Sequence, residues 1–293
     1  MIKLLERFRT YKVGIEGKSE SSIDQYIYRV KEFLTFHNIE TDEALLSITR
    51  DMVKNWLLDL EKKGNSQSTR NAKLTAIQEI YRFFKEQEKL NIDIDILLLK
   101  KAKVPKKEMR FLNQEEAYIY MDGIVNQRTK AAVAINLATG IRFCELITLT
   151  VDDIKNGQTI INGKGNKERH IYFPPWCAKM VNKFIDGKRQ HIIERTGVKT
   201  NLLFISDNGN IMTRGNYANS LKHYARKGEV EWAEIMSPHK LRHSAASIWY
   251  KKGFEVKEIQ NGLGHSNMAT TDRYVHTTEQ QVKDMMASDD AFI

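Results

Sequence analysis

The chain has 293 residues, with 46 Lys and Arg against 37 Asp and Glu and a net charge of +9. That length exceeds a usual single domain, so two domains with separate cores are expected. The basic balance suits a polyanionic partner, nucleic acid or an acidic membrane surface. No stretch reaches the roughly 20 apolar residues of a membrane span. Met1 to Arg9 alternates charged and apolar residues without the core of a signal peptide, so a cytoplasmic protein with no membrane partner is expected. Cys144 and Cys177 are too few for a zinc cluster or a disulfide framework and are expected as buried small hydrophobes.

Residues 1–99 read as a compact helical domain. Ile23, Tyr26, Ile27, Val30, Phe33 and Leu34 fall on one face of a helix over Ser22 to His37. Val53, Trp56, Leu57 and Leu60 repeat the pattern, and so do Leu74, Ile77, Ile80, Tyr81 and Phe84, in a helix that Ser68 or Thr69 could cap. The pattern fails over 100–110, where Lys100, Lys101, Lys103, Lys106 and Lys107 surround Pro105. This reads as a basic interdomain linker able to lie along phosphates.

The second domain, 111–293, restarts at Asn113, an N-cap with Glu116 three residues on. An apolar helix over Ala131 to Ala138 is broken by Thr139-Gly140, and Arg142 opens the next, with Leu146, Ile147 and Leu149 as core positions. Thr159–Ile161 and Arg169–Phe173 read as strands joined by the turn Gly163-Lys164-Gly165-Asn166, ended by Pro174-Pro175. Leu202–Ile205 reads as another strand. From Thr213 onward the pattern is helical, so the fold class is mainly α with a small β-sheet.

Four local words carry the chemistry. They are Thr139-Gly140-Ile141-Arg142-Phe143-Cys144-Glu145-Leu146, then Gly163-Lys164-Gly165-Asn166-Lys167-Glu168-Arg169, then Pro238-His239-Lys240-Leu241-Arg242-His243, and last Leu263-Gly264-His265-Ser266 with Tyr274 beyond. Each alone has an ordinary explanation: a surface arginine after a helix break, a hairpin turn, a capped helix start, a core histidine. Together they offer two guanidinium groups, two imidazoles, a lysine on a turn and a phenol, without a carboxylate cluster for a catalytic metal. Such a set suits transfer at a phosphodiester. Paired N–H donors of two arginines can neutralise the charge that grows as phosphorus becomes five-coordinate. A phenol with an ordinary pKa of about 10 is only on the order of 0.1% ionised at neutral pH, so its proton must be helped away. A lysine on a turn can protonate the departing sugar oxygen. No phosphate-cradling glycine loop for ATP is present.

The order Arg, Lys, His-x-x-Arg, His, Tyr, with the words ATGIRFCEL, GKGNKER, SPHKLRHSAAS and LGHSNMATTDRYVH, resembles the catalytic domain of tyrosine recombinases, the Xer proteins and related integrases above all. The N-terminal helices match their core-binding domain in pattern only. The resemblance implies two lobes that clamp DNA and cut it without metal or cofactor. Arg142 and Arg242 would clamp the phosphate and Lys164 would be the acid for the 5′ oxygen, with Lys167 as its rival. His239 would be base or transition-state donor, His265 a second donor, and Tyr274 the nucleophile of a 3′-phosphotyrosyl link. Glu145 would orient the site, and His243 matches a structural histidine. His170-Ile171-Tyr172 and Ala245-Ala246-Ser247 depart from the usual words without removing a reacting group. The partners implied are double-stranded DNA with inverted-repeat half-sites, a homo-oligomer that is a dimer on one site and a tetramer in synapsis, and an accessory recombination protein. The tail from Thr278, with Val282, Met285, Met286 and Phe292, would fold back on its own domain or, as the resemblance implies, dock into a neighbouring subunit. The alternatives are type IB topoisomerase-like relaxation of DNA and a non-catalytic DNA-binding protein on the same fold.

Overall fold

The computed structural model describes residues 2–105, 110–162, 168–264 and 283–286. The chain divides into two compact units, Met1–Lys107 and Glu108–Ile293. The first unit holds α1 (Lys3–Gly14), α2 (Glu20–Phe36), α3 (Asp42–Leu46), α4 (Arg50–Lys62) and α5 (Gln67–Glu86). The apolar faces expected for α2, α4 and α5 turn inward. Ile23, Val30, Phe33, Val53, Trp56, Leu74, Ile77 and Phe84 are buried, and the rings of Phe33 and Trp56 meet edge to face at 5.2 Å. The cap of α5 is Ser66, whose Oγ accepts from the Thr69 N–H at 3.2 Å. The expected caps Ser68 and Thr69 lie inside the first turn, because the helix starts earlier than its apolar stripe. α1 was not foreseen; Leu4, Leu5 and Phe8 anchor it.

The segment after α5 is tied to that helix. The Gln78 amide donates to the carbonyls of Ile96, Leu97 and Leu99. Asn71 exchanges two hydrogen bonds with Ala102, at 2.8 and 2.9 Å. Lys106 and Lys107 lie outside the described residues.

The second unit continues with α6 (Gln114–Asp122), α7 (Gln127–Thr139), α8 (Phe143–Leu146), α9 (Val151–Lys155), β1 (Gln158–Asn162), β2 (Glu168–Tyr172), α10 (Pro175–Phe184), α11 (Gln190–Thr196), α12 (Arg214–Lys227), α13 (Pro238–Lys251) and α14 (Val256–Leu263). α6 opens with the full capping box of Asn113 and Glu116. α7 is the central post. Every residue from Ala131 to Thr139 is buried, with α10, α12 and α13 packed around it. A helix apolar on all sides must be surrounded in this way. β1 and β2 pair antiparallel, with Gln158 opposite Tyr172 and Asn162 opposite Glu168. The mainly helical class with a small sheet therefore holds.

Two expectations are corrected. Leu202–Ile205 is no strand: it makes only isolated bridges, Thr150 with Leu202 and Ile205 with Ile211. Leu203, Phe204 and Ile205 are all buried, and their backbone bonds are shared singly between Leu149 and Met212 on opposite sides, so no ladder extends. Cys177 is buried as expected, but Cys144 is exposed. The single turn of α8 directs Glu145 and Leu146 inward, which leaves Cys144 outward.

The tail residues 283–286 are helical. Met285 and Met286 are fully buried in the core of their own unit, and the Tyr172 N–H points at the Met286 sulfur at 3.4 Å. Within the single chain this part of the tail thus packs against its own domain.

Candidate active site

α7 ends at Gly140, whose left-handed φ of +59° turns the chain toward Arg142. A side chain at Gly140 would be strained there and would run into Leu263, so glycine is required twice over. Asn136, buried within α7, holds the turn. Its amide donates to the Ile141 carbonyl at 3.0 Å, and its oxygen accepts from the Tyr217 hydroxyl of α12 at 2.7 Å.

Arg142 follows directly. Its backbone N–H donates to Glu145 Oε2 at 2.8 Å, its Nη1 to Glu145 Oε1 at 2.9 Å, and its Nη2 to the Gly264 carbonyl at 2.9 Å. The side chain keeps 32% of its exposure. A guanidinium carries five N–H donors, so others stay available to a ligand.

Ser237 caps α13 through the Lys240 N–H, and Pro238 fills its first turn, as the Ser-Pro pair predicts. His239 lies exposed in that turn. Arg242, one turn on, is only 3% exposed. It donates from Nη1 to the Gly140 carbonyl and from Nη2 to the Leu263 carbonyl, both at 2.6 Å. The two arginines therefore hold consecutive carbonyls, Leu263 and Gly264, immediately before His265. Burial, then the charges of Arg142 and Arg169, push the Arg242 guanidinium down to about 9, still protonated at neutral pH. Loss of solvent, then the charges of Arg242, Arg214, Lys240 and Arg142, lower the pKa of His239. The shift favours the neutral imidazole, the form able to accept a proton. Its Nε2 meets His243 Nε2 at 3.1 Å; which ring donates depends on tautomer.

Arg169 ends the second of the four words and opens the expected strand, and the sequence gives it no role of its own, yet it is central here. From β2 it donates Nη1 to Glu145 Oε1 at 3.0 Å and Nη2 to Oε2 at 2.6 Å, and its side chain is 7% exposed. Glu145 thus accepts four hydrogen bonds. Burial works to raise its pKa, but the bonds and charge of Arg169, with the bonds from Arg142, hold it down to about 2. A signal was available: Arg169 and Ile171 share the inward face of β2, and an arginine on such a face needs a buried anion. Arg214, at the start of α12, was also missed; nothing local to its sequence places it by His239.

Arg142, His239 and Arg242 are thus gathered at one place. Lys164, its rival Lys167, His265 and Tyr274 lie outside the described residues. Among the described residues, no group of three or more His, Cys, Asp or Glu side chains converges as a metal site, and no helix is long and apolar enough to cross a membrane.

Residues 103–281 match the profile described as Phage integrase family, and residues 5–88 match the Phage integrase, N-terminal SAM-like domain. The chain is similar to the tyrosine recombinase XerA of Thermococcus kodakarensis, 28% identical over 291 residues, covering 96% of this chain and 93% of the relative. It is similar to the tyrosine recombinase XerD of Yersinia pestis, 26% identical over 296 residues, covering 96% and 95%. Its fold is similar to that of the Tn1549 transposon integrase in complex with circular intermediate DNA, with a TM-score of 0.66, 20% identity and coverage of 98% and 99%. The XerH site-specific recombinase bound to its difH substrate gives a TM-score of 0.65, 19% identity and coverage of 97% and 81%.

Proposed function

The chain belongs to the phage integrase family, and from that premise we propose that it is a site-specific tyrosine recombinase that cleaves and rejoins double-stranded DNA through a 3′-phosphotyrosyl intermediate. The observation that carries this reading is the pair of arginines, whose three carbonyl contacts join α7, α13 and the end of α14, two of them across 102 residues or more. Two guanidinium groups beside an imidazole form a preorganised anion site, where charge stabilisation is strong because the donors do not reorganise.

In this reading Arg142 and Arg242 neutralise the scissile phosphate. His239 takes the phenol proton of Tyr274 or donates to a non-bridging oxygen, and His265 supplies a second donor. Tyr274 attacks phosphorus and displaces the 5′ oxygen, which takes a proton from Lys164 as it leaves and becomes a 5′ hydroxyl. The bond energy stays in the phosphotyrosine and is returned when a 5′ hydroxyl attacks it, so no nucleotide cofactor is required.

Residues 1–99 would serve as the helical DNA-binding lobe, 100–110 as a basic linker along phosphates, and 111–293 as the catalytic domain. Inverted half-sites would seat a dimer, and two such sites a tetramer, in the cytoplasm and with an accessory protein where the system uses one. The Xer-like relatives and the solved DNA complexes of similar fold support DNA as the partner.

The test is a nicked suicide substrate run on a denaturing gel. The wild-type chain is expected to leave a protein–DNA adduct, and Tyr274→Phe to bind without forming one. An adduct from the Tyr274→Phe variant overturns the assignment of the nucleophile.

A further inference from the structure

We propose that Arg169 is a positioning residue that keeps Arg142 available to the phosphate by occupying the carboxylate that would otherwise capture it. The inference rests on the reaction proposed above and goes beyond it to a side chain outside the reacting set.

Glu145 lies beside two arginines and has two oxygens, about four lone-pair sites in all. Arg169 takes one site on each oxygen through the two ends of its guanidinium fork, at 3.0 and 2.6 Å. Arg142 receives what remains: one bond from Nη1 at 2.9 Å and one from its own backbone N–H at 2.8 Å. A carboxylate facing a single arginine prefers the bidentate fork. With Arg169 in that position, the Arg142 side chain is confined to one bond on Glu145 and one on the Gly264 carbonyl, at 2.9 Å.

The surroundings fix Arg169 as firmly. It stands on β2 opposite Ile161 and is buried. Gly264, at a φ of +66°, lies directly over it: a side chain carbon at Gly264 would stand 2.9 Å from Arg169 Nη1 and 3.0 Å from its Cδ. Arg169 therefore supports the same short segment whose carbonyls Arg142 and Arg242 hold. Remove its fork, and half of Glu145 is left unsatisfied in a buried place, a cost of the kind that drives side chains to re-pair. Arg142 is the donor within reach.

The consequence is a specific epistasis. Arg169→Met should lower the rate of covalent adduct formation by about 10²-fold, the scale of a reacting group displaced by about 1 Å, with little change in half-site affinity. Glu145→Gln should lower the rate in the wild-type background. In the Arg169→Met background it should raise the rate, because a carboxamide cannot accept the fork and so releases Arg142. A purely structural Arg169 predicts the opposite, a second loss added to the first. Arg169→Lys, which retains charge at modest packing cost, is expected between wild type and Arg169→Met, because an ammonium cannot span both oxygens. It keeps the test decisive where Arg169→Met folds poorly. Glu145→Gln lowering the rate in every background, or wild-type rates from Arg169→Met, overturns the inference. A crystal structure of Arg169→Met or Arg169→Lys reads the same point without the reaction: Arg142 is expected to make a second side-chain bond to Glu145, and an unmoved Arg142 overturns the inference. Wild-type protein that forms no adduct overturns the proposed reaction alone.

Discussion

Arg242 donates to the Gly140 carbonyl at 2.6 Å across 102 residues of chain, so the end of the buried post α7 and the first turns of α13 are fastened at the point where the Arg142 turn begins. The left-handed glycine that ends one helix thus offers its carbonyl to the arginine of another.

Gly140→Ala should therefore be costly. The new carbon meets a strained φ and the Leu263 side chain together, for a loss of about 2–4 kcal/mol. Urea unfolding followed by circular dichroism measures it, and an unchanged midpoint would contradict the packing described here.

Arg242→Lys keeps the charge and loses the span. One ammonium cannot reach the Gly140 and Leu263 carbonyls with a fork's geometry, so one buried acceptor is left unmet at about 1–3 kcal/mol. Adduct formation is expected to fall by at least about 10²-fold with half-site binding retained in a gel shift. Wild-type cleavage by this variant would show that the two bonds are irrelevant to the site.

The acid limit of stability should carry the signature of Glu145. Its pKa falls from an ordinary 4.5 unfolded to about 2 folded. A depressed carboxylate contributes stability that is complete above the unfolded value and is lost as pH falls through the folded one. The wild-type chain should lose this increment between pH 4.5 and 2, and Glu145→Gln should show a flatter acid dependence in that window. Parallel curves for the two proteins would argue against the paired carboxylate.

If Lys164 protonates the leaving oxygen, Lys164→Ala should cleave slowly on ordinary DNA and recover when the 5′ bridging oxygen is replaced by sulfur, a leaving group that needs little protonation. Arg142→Ala should stay slow on both substrates. Equal recovery of the two variants, or recovery confined to Lys167→Ala, reverses the division of roles.

Truncation after Thr277 removes Met285 and Met286, which are fully buried against their own domain. Loss of such side chains costs at least about 2 kcal/mol, so the truncated chain should melt earlier. It should still bind a half-site but fail to assemble on paired sites, as seen by gel-shift stoichiometry. Unchanged melting together with normal assembly would leave the tail without a role.

The amino-acid sequence by itself determined the elements whose reasons are local. The stripes of α2, α4 and α5, the capping box of α6, the Ser-Pro start of α13 and the β1–β2 hairpin each follow from side chains within a turn or two of one another. It also determined which reacting groups the chain owns, and the four words in one order suffice to name the family. Only the tertiary structure decided what those groups touch. Glu145 and Arg169 are 24 residues apart and Arg242 and Gly140 far more, and no spacing rule reaches that distance, because such partners are set by how helices stack around α7. The same reason explains the errors. Leu202–Ile205 is apolar enough for a strand, but strand formation needs a continuous neighbour, and the fold supplies only single residues on either side. Cys144 is small and apolar, but the single turn of α8 has to bury Glu145 so that the carboxylate can sit between two arginines, and that rotation carries the thiol out to solvent.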